Sequence, residues 1–278
     1  MLKRYIPALV ILFLPVCSAG QPVTLTDSIS GKDWNSKTIA PGVFLRSVQT
    51  KLFNSDQAIY VVDIDPTAGN FEFGVAAADT TLITSLFAAA ECVLAAINGT
   101  FFNMQEGYNV HYVRVNDSVV AITDEKEYGI RATGVFAATG ETVDISGWGP
   151  EKEDAGIVNS EDAIVSGPLL MDDGMEMTLD SINFNKNRHP RSLVGITGDR
   201  HVLFIAVDGR QPGYADGMSL FELRALARSL GCTEILNLDG GGSTALYVKG
   251  EGLSGIVNRP SGKVERPVPS IVFVKQIE

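Results

Sequence analysis

The sequence predicts an α+β fold, a mixed β-sheet core with a few helices packed on it. Short apolar runs punctuated by Gly, Asn and Asp recur from Val43 to the end of the chain and read as strands and hairpins. Only two segments combine helix-forming composition with helical boundaries. With 278 residues, 45% of them hydrophobic, the chain can bury a full core as one large domain. No internal linker, low-complexity tract or solenoid repeat divides it.

The amino terminus stands apart. Lys3 and Arg4 precede an apolar run from Ile6 to Val16, and Ser18, Ala19 and Gly20 follow; this is the layout of a secretory signal peptide over residues 1–20. The run is too short to span a membrane, so no transmembrane segment is expected after its removal, and the protein is expected to be secreted or held in the periplasm or cell envelope. Lipid anchoring at Cys17 fits less well, because Pro15 and Val16 are not the small residues such a signal needs. Residues 21–59 then read as a lead-in with the first strands, and residues 60–278 as the main domain.

The lead-in from Gln21 to Ala40 shows little period. Strands are expected at Val43 to Val48 and Ala58 to Ile64, joined by a turn from Leu52 to Gln57, with a third starting at Phe71. Leu82 to Glu91 reads as a short helix capped by Thr81, Thr84 or Ser85, and Val93 to Ile97 as a buried strand. Hairpins are expected around Asn116-Asp117-Ser118 and Thr139-Gly140-Glu141. The acidic stretch between Gly147 and Asp162 reads as a solvated loop, Gly167-Pro168 as a break in a strand, and Asp172-Asp173-Gly174 as a turn rather than a calcium loop. A further hairpin surrounds Gly198-Asp199. The second helix, Leu220 to Leu230, has the clearest boundaries: Ser219 and Glu222 form a capping box, Gly231 ends it, and Leu220, Leu223, Leu226, Ala227 and Leu230 share one face. A strand into Asp239 and a last one from Pro269 to Val274 complete the chain.

The formal net charge is −11, and removal of the signal takes away two of the 22 basic residues. Nucleic acid and anionic membranes, which need extended positive surface, are thereby disfavoured as partners; an anionic small substrate requires only a local gathering of cations. Cys92 and Cys232 each start a strand after a helix. They could form a disulfide if those strands are parallel neighbours, or else remain two buried free thiols.

Four strand ends carry polar groups: Asn98-Gly99, Arg188 to Arg191, Asp208-Gly209-Arg210, and Asn237-Leu238-Asp239-Gly240-Gly241-Gly242-Ser243-Thr244. A carboxylate that ends a strand ahead of three glycines sits at the mouth of a sheet, where no Cβ blocks a ligand, and successive glycine N–H groups can form a nest for an anion. Arginine forks at Arg191 and Arg210 match phosphate oxygens bidentately. His189 can donate a hydrogen bond, act as an acid, or simply sit in a turn. Asp208 and Asp239 are the candidate carboxylates; Asp208 could instead pair with Arg210 or cap a turn.

Taken in order, Asn98-Gly99-Thr100-Phe101-Phe102, His189-Pro190-Arg191-Ser192, Val207-Asp208-Gly209-Arg210 and the stretch from Asn237 to Thr244 resemble the motifs of the phosphodiester glycosidase family. Thr100 departs from that pattern, where glycine is common. The resemblance runs over roughly residues 60–275, which makes residues 60–278 the expected catalytic domain. It implies hydrolysis between a sugar anomeric carbon and phosphate, with release of sugar and phosphomonoester. A phosphomonoester has its second pKa near ~6 and can leave without a strong acid if its charge is held, so cations can replace one of the two carboxylates of an ordinary glycosidase. The expected roles are catalysis by Asp239, Asp208 and His189, and substrate binding by Asn98, Gly99, Arg191, Arg210, Asn237, Gly240, Gly241, Gly242, Ser243 and Thr244. Phe101 or Phe102 could form a sugar platform, and the resemblance also places Asn258, Arg259, Arg266 and Pro267 near the site. The sequence requires no cofactor, although a divalent cation could be shared by Asp208, Asp239 and the phosphate. The expected partner is a small-molecule or glycan phosphodiester. A secreted, non-catalytic phosphosugar-binding module is the alternative. An aspartic-protease dyad is disfavoured, because neither Asp-Gly segment carries the intervening hydroxyl residue.

Overall fold

The computed structural model describes Ile29 and residues 32–156 and 160–277. The signal peptide and Cys17 lie outside the described residues. Three sheets form the body. The largest holds β1 (Asn35–Ala40), β2 (Val43–Leu52), β3 (Ser55–Ile64), β14 (Val202–Val207), β13 (Arg191–Thr197), β15 (Cys232–Asn237), β11 (Leu169–Asp172) and β12 (Met175–Glu176), side by side in that order. A second has the order β16 (Leu246–Val248), β5 (Ala95–Asn98), β17 (Val268–Gln276) and β4 (Phe71–Leu82). The third has the order β7 (Ser118–Ala121), β6 (Val113–Val115), β10 (Asp162–Ser166), β8 (Gly134–Thr139) and β9 (Thr142–Gly147). The helices are α1 (Thr84–Ala90), α2 (Pro150–Asp154), α3 (Asn183–Lys186) and α4 (Leu220–Ser229). The α+β expectation therefore holds, and every pairing between named strands is antiparallel.

The period-2 rule explains the layers. On β14, Val202, Phe204 and Ala206 face a central core shared with the other two sheets, while Leu203, Ile205 and Val207 face a second core on the outer side. Helix α4 covers that outer side with Leu220, Leu223, Leu226 and Ala227. Full burial of each leucine contributes roughly 1.5–3 kcal/mol, and a charge at Leu223 would break the contact. Ser219 and Glu222 form the expected capping box. Helix α1 covers the outer face of the second sheet through Phe87 and Ala88.

Several local expectations need correction. The turn between β2 and β3 is only Phe53-Asn54, both in the left-handed region at φ 55° and 58°, so both strands are longer than their apolar runs suggest. The lead-in contains β1, whose pairing with β2 begins at Asn35. The division between residues 59 and 60 falls inside β3, which pairs without interruption from Val207↔Ile59 to Val202↔Ile64. Helix α1 has Ile83 at its cap position and no local side-chain cap; the Glu265 carboxylate instead accepts from the Ser85 N–H (2.8 Å) and hydroxyl (2.6 Å). The acidic loop after Gly147 holds the exposed one-turn helix α2. Cys92 and Cys232 are both free, Cys92 exposed and Cys232 buried. They flank strands of different sheets, which removes the geometry a disulfide needs.

The topology puts the polar strand ends together. Arg191 at the start of β13 pairs with Val207 at the end of β14, and Leu193 with Asn237 at the end of β15. The segment from Leu238 to Ala245 then carries the chain from the largest sheet to β16, beside β5 and its terminal Asn98. The Asp239 N–H donates to the Gly99 carbonyl (3.2 Å) and ties the two sheets at this edge.

Candidate active site

The glycine triplet makes room for guanidinium groups. Gly241 lies at φ +62°, and a Cβ there would stand 3.1 Å from Arg210 Nη1. At Gly242 a Cβ would fall 2.3 Å from Arg266 Nη2. At Gly240 it would meet the Pro190 carbonyl oxygen at 2.6 Å. Each glycine thus admits a neighbour that a side chain would displace. The expected anion nest is not formed: the Gly240, Gly241 and Ser243 N–H groups donate to Asp239 Oδ1 (2.9 Å), Pro190 O (2.8 Å) and Gly240 O (3.2 Å). Positive charge at this edge comes from arginines instead.

Among the described residues, Arg210, Arg259 and Arg266 have no carboxylate within salt-bridge distance. Arg210 is exposed with a left-handed backbone at φ 57°, an uncommon state for a residue with a Cβ. Its Nη2 lies 3.1 Å from His189 Nδ1. Arginine can only donate, so Nδ1 accepts, and the proton of this imidazole belongs on Nε2. Burial, reinforced by the charges of Arg191 and Arg210, lowers the His189 pKa. His189 is therefore a neutral donor rather than a cationic acid.

Asp239 is half-buried beside these cations. Burial pushes its carboxyl up to about 6, against the pull of the Gly240 N–H, Arg266 and Arg131. The Ser243 hydroxyl sits against this carboxyl and also pulls its pKa down, and the Thr244 hydroxyl is buried and unpartnered.

Other expected site residues are buried around this edge and bonded to its backbone. Arg191 is 2% exposed. It donates from Nε to the Met218 carbonyl (2.9 Å) and from Nη2 to those of Phe184 (2.7 Å) and Asn187 (3.0 Å), and it stacks 5.1 Å from the Phe184 ring. Those bonds commit most of its fork to backbone, so Arg191 holds the loop that presents His189 and is not the phosphate clamp expected of it. Asp208 is buried and accepts from Asn258 Nδ2 (2.9 Å), the Arg259 N–H (2.9 Å) and the Tyr214 hydroxyl (3.1 Å). Burial raises its pKa to about 6 in spite of these donors. Three donors thus tie Asp208 to the late loop, and among the described residues it makes no ion pair with Arg210. Among the described residues no three His, Cys, Asp or Glu side chains gather to hold a metal.

Asn98 donates to the Asp239 carbonyl (2.6 Å) and accepts from the Ser192 hydroxyl (2.6 Å) and Ala245 N–H (3.2 Å). Asn237 donates to the Gly167 carbonyl (2.7 Å). Both are fully buried and orient loop backbone rather than sugar hydroxyls. Gly99 packs on Ser270, whose Oγ lies 2.4 Å from where its Cβ would be; this glycine serves close packing.

Sequence reasoning missed a buried chain behind Asp239. Thr100 Oγ1 bonds His111 Nδ1 (2.7 Å), His111 Nε2 lies 3.4 Å from Glu127, and Glu127 accepts two bonds from Arg131 (2.8 and 2.7 Å). Arg131 stands 4.7 Å over the Phe101 ring and also acts on Asp239 by charge. The hydrogen bond to His111, with Arg131 beside it, holds Glu127 down at about 2. The one available signal was Thr100, the departure from the glycine pattern: its hydroxyl starts this chain. Phe101 is buried against His111 and Phe184, whereas Phe102 is half-buried.

Comparisons with known proteins bear on the fold and the family. SPbeta prophage-derived uncharacterized protein YomE of Bacillus subtilis strain 168 is 35% identical over 81 residues, 29% of this chain and 12% of that protein; the chain thus matches only about an eighth of YomE. The catalytic domain of zebrafish N-acetylglucosamine-1-phosphodiester alpha-N-acetylglucosaminidase, auto-inhibited by its pro-peptide, superposes with a TM-score of 0.65 at 16% identity, over 89% of this chain and 85% of that one. A hypothetical protein from Synechocystis gives 0.64 at 16% identity, over 87% and 64%. At such identities the likeness shows a shared fold. The family model for phosphodiester glycosidases matches residues 91–275, and it takes in the Asn98, His189, Asp208 and Asp239 motifs and the arginines around them: the chain belongs to the phosphodiester glycosidase family.

Proposed function

We propose that the protein is a secreted hydrolase that cleaves the bond between a sugar anomeric carbon and phosphate in a sugar-1-phosphodiester. The observation that carries this reading is Asp239 at the head of a glycine triplet on which the guanidinium groups of Arg210 and Arg266 are seated, in an otherwise acidic protein. The arginines hold the phosphate oxygens and take up the charge that develops as the C1–O bond breaks and its electron pair passes to the phosphate. Asp239, ionised above pH 6, faces the positive charge that builds at the anomeric carbon. Water supplies the oxygen that joins C1, and its proton passes to solvent. The leaving phosphomonoester needs no strong acid, which agrees with His189 accepting from Arg210 at Nδ1 and keeping its proton on Nε2.

The test uses purified mature protein with methyl phosphodiesters of α-glucose-1-phosphate and α-N-acetylglucosamine-1-phosphate. Release of methyl phosphate is expected, with Asp239→Asn reducing kcat by at least 100-fold. Binding without turnover, and a variant altered only in affinity, would leave a phosphosugar-binding module as the correct reading. Export is tested separately by the mass of the mature chain recovered from outside the cytoplasm, expected to lack residues 1–20.

A further inference from the structure

The hydrogen-bonded run from Thr100 to Arg131 has no part in the proposed chemistry, and most of it is buried: Thr100 is 1% exposed, His111 0% and Glu127 4%. Its protons can be assigned. Glu127, held down at about 2, is ionised and only accepts. The proton of His111, a group that burial keeps neutral, therefore sits on Nε2 toward Glu127, and Nδ1 accepts from the Thr100 hydroxyl. At the far end Glu127 takes both Nε and Nη2 of Arg131, while the Phe101 ring lies against the guanidinium. A planar ion gripped along one edge and stacked on a ring is fixed in place.

The run meets the Asp239 segment on two flanks. The Asp239 N–H donates to the carbonyl of Gly99, the neighbour of Thr100. On the other flank the Arg131 carbonyl oxygen lies 2.7 Å from where a Cβ on Gly167 would stand, and the Gly167 carbonyl accepts from Asn237 (2.7 Å), just ahead of Asp239. Facing the Asp239 carboxyl are the Gly240 N–H and the Ser243 hydroxyl from its own loop, Arg266 from the late loop, and Arg131 from the turn before β8. Arg191, at the start of β13, also feels its charge. Glu127 is turned toward His111, which leaves the positive end of its pair with Arg131 to act on Asp239.

The proposed reaction needs such a charge. A phosphodiester brings a negative group beside Asp239, and like charge favours the protonated carboxyl. Arg210 and Arg266 are then occupied by phosphate oxygens. Arg131 is held by Glu127 whether or not phosphate is present, and a charge fixed before the substrate arrives costs no rearrangement during the reaction. We propose that Arg131 is a positioning residue of the reaction, the permanent counter-charge that keeps Asp239 ionised while phosphate is bound, and that Thr100, His111 and Glu127 form the brace that sets it. The inference rests on the proposed function for its effect on turnover, and not for its effect on the carboxyl.

The experiment titrates Asp239 directly, through the carboxyl resonance of protein labelled with carbon-13 aspartate, assigned by its loss in Asp239→Asn. The midpoint is expected near 6 in the wild type and about one pH unit higher in Arg131→Met. Arg131→Lys keeps the charge and should stay within about 0.3 of the wild type. The double variant Glu127→Gln, Arg131→Met leaves no unpaired buried charge, so it makes the same test in a protein spared that defect, and its midpoint should also rise. Thr100→Val cuts the brace at its start and should give a rise between those of the wild type and Arg131→Met. With the methyl sugar-1-phosphodiesters, kcat reports the bound state, and its loss in Arg131→Met should be about tenfold greater at pH 5 than at pH 8.5. A midpoint unmoved in both Arg131→Met and the double variant overturns the counter-charge, and one unmoved in Thr100→Val overturns the brace. Loss of kcat by the same factor at every pH, or a raised KM alone, would make Arg131 a structural or phosphate-binding residue instead. No hydrolysis by a folded wild type whose midpoints still move as described overturns the proposed function and leaves the counter-charge standing.

Discussion

Removal of the Asp239 charge should stabilise the protein while abolishing its chemistry. Burial lifts this carboxyl from 3.8 to about 6. A folded-state pKa above the unfolded one means that the folded chain binds the extra proton between those values. Stability therefore falls as pH rises from 3.8 to about 6 and levels off above. At about 1.4 kcal/mol per pKa unit, the ionised carboxylate costs the fold up to about 3 kcal/mol at neutral pH, and less to the extent that solvent screens a half-buried group. Asp239→Asn keeps the oxygen that accepts from the Gly240 N–H and removes the charge. At pH 7.5 the variant should melt roughly 5 °C or more above the wild type; at pH 3.5 the two should coincide. Urea titrations at the same pH values should give a higher midpoint with an unchanged slope. Equal gains at both pH values, or a loss at pH 7.5, would refute the reasoning, because the burial penalty would then not belong to the ionised form.

Further outcomes follow from the same geometry. Activity should fall about tenfold per unit as pH drops below about 6, where Asp239 takes up its proton; a pH–rate profile flat down to 4.5 would contradict an ionised catalytic carboxylate. Gly242→Ala would put a methyl group 2.3 Å from Arg266 Nη2, which a flexible side chain relieves by moving away, so kcat/KM should drop at least 100-fold with thermal stability little changed; near-normal activity would remove Arg266 from the site. Arg191→Lys loses the fork that serves three carbonyls and should cost about 2–4 kcal/mol in urea unfolding, whereas a phosphate clamp would show mainly as a raised KM. Thiol titration should find Cys92 reactive in the native protein and Cys232 only after unfolding, because it is buried with its thiol pushed up to about 12; a count that rises on reduction would point to a disulfide.

The parts of the fold visible in the sequence are those whose causes are local. Asn116-Asp117 takes the left-handed backbone of a tight hairpin, and the Ser219–Glu222 box states its helix within four residues. The cap of α1 was not visible, because Glu265 supplies it from the far end of the chain. The same distinction divides the site. The glycine triplet and the strand-end motifs announce that backbone and ligand approach closely, and the structure does bring Asp239, His189, Arg210 and Arg266 to one edge. Which arginine is free was not visible: Arg191 and Arg210 have the same chemistry, and only the carbonyls of Phe184, Asn187 and Met218 distinguish the buried brace from the exposed cation. Asp208 and Asp239 both precede glycine at the end of a strand, yet Asn258, Arg259 and Tyr214 occupy the first alone. The Thr100, His111, Glu127 and Arg131 chain forms no motif, since its members become neighbours only when the sheets close.

Hydrolysis in water enriched in oxygen-18 addresses the bond that breaks. Attack at the anomeric carbon puts the label in the released sugar and leaves the phosphomonoester unlabelled. Label found in the phosphomonoester would mean cleavage between phosphorus and oxygen, and Asp239 and the two arginines would then serve a phosphodiesterase and not a glycosidase.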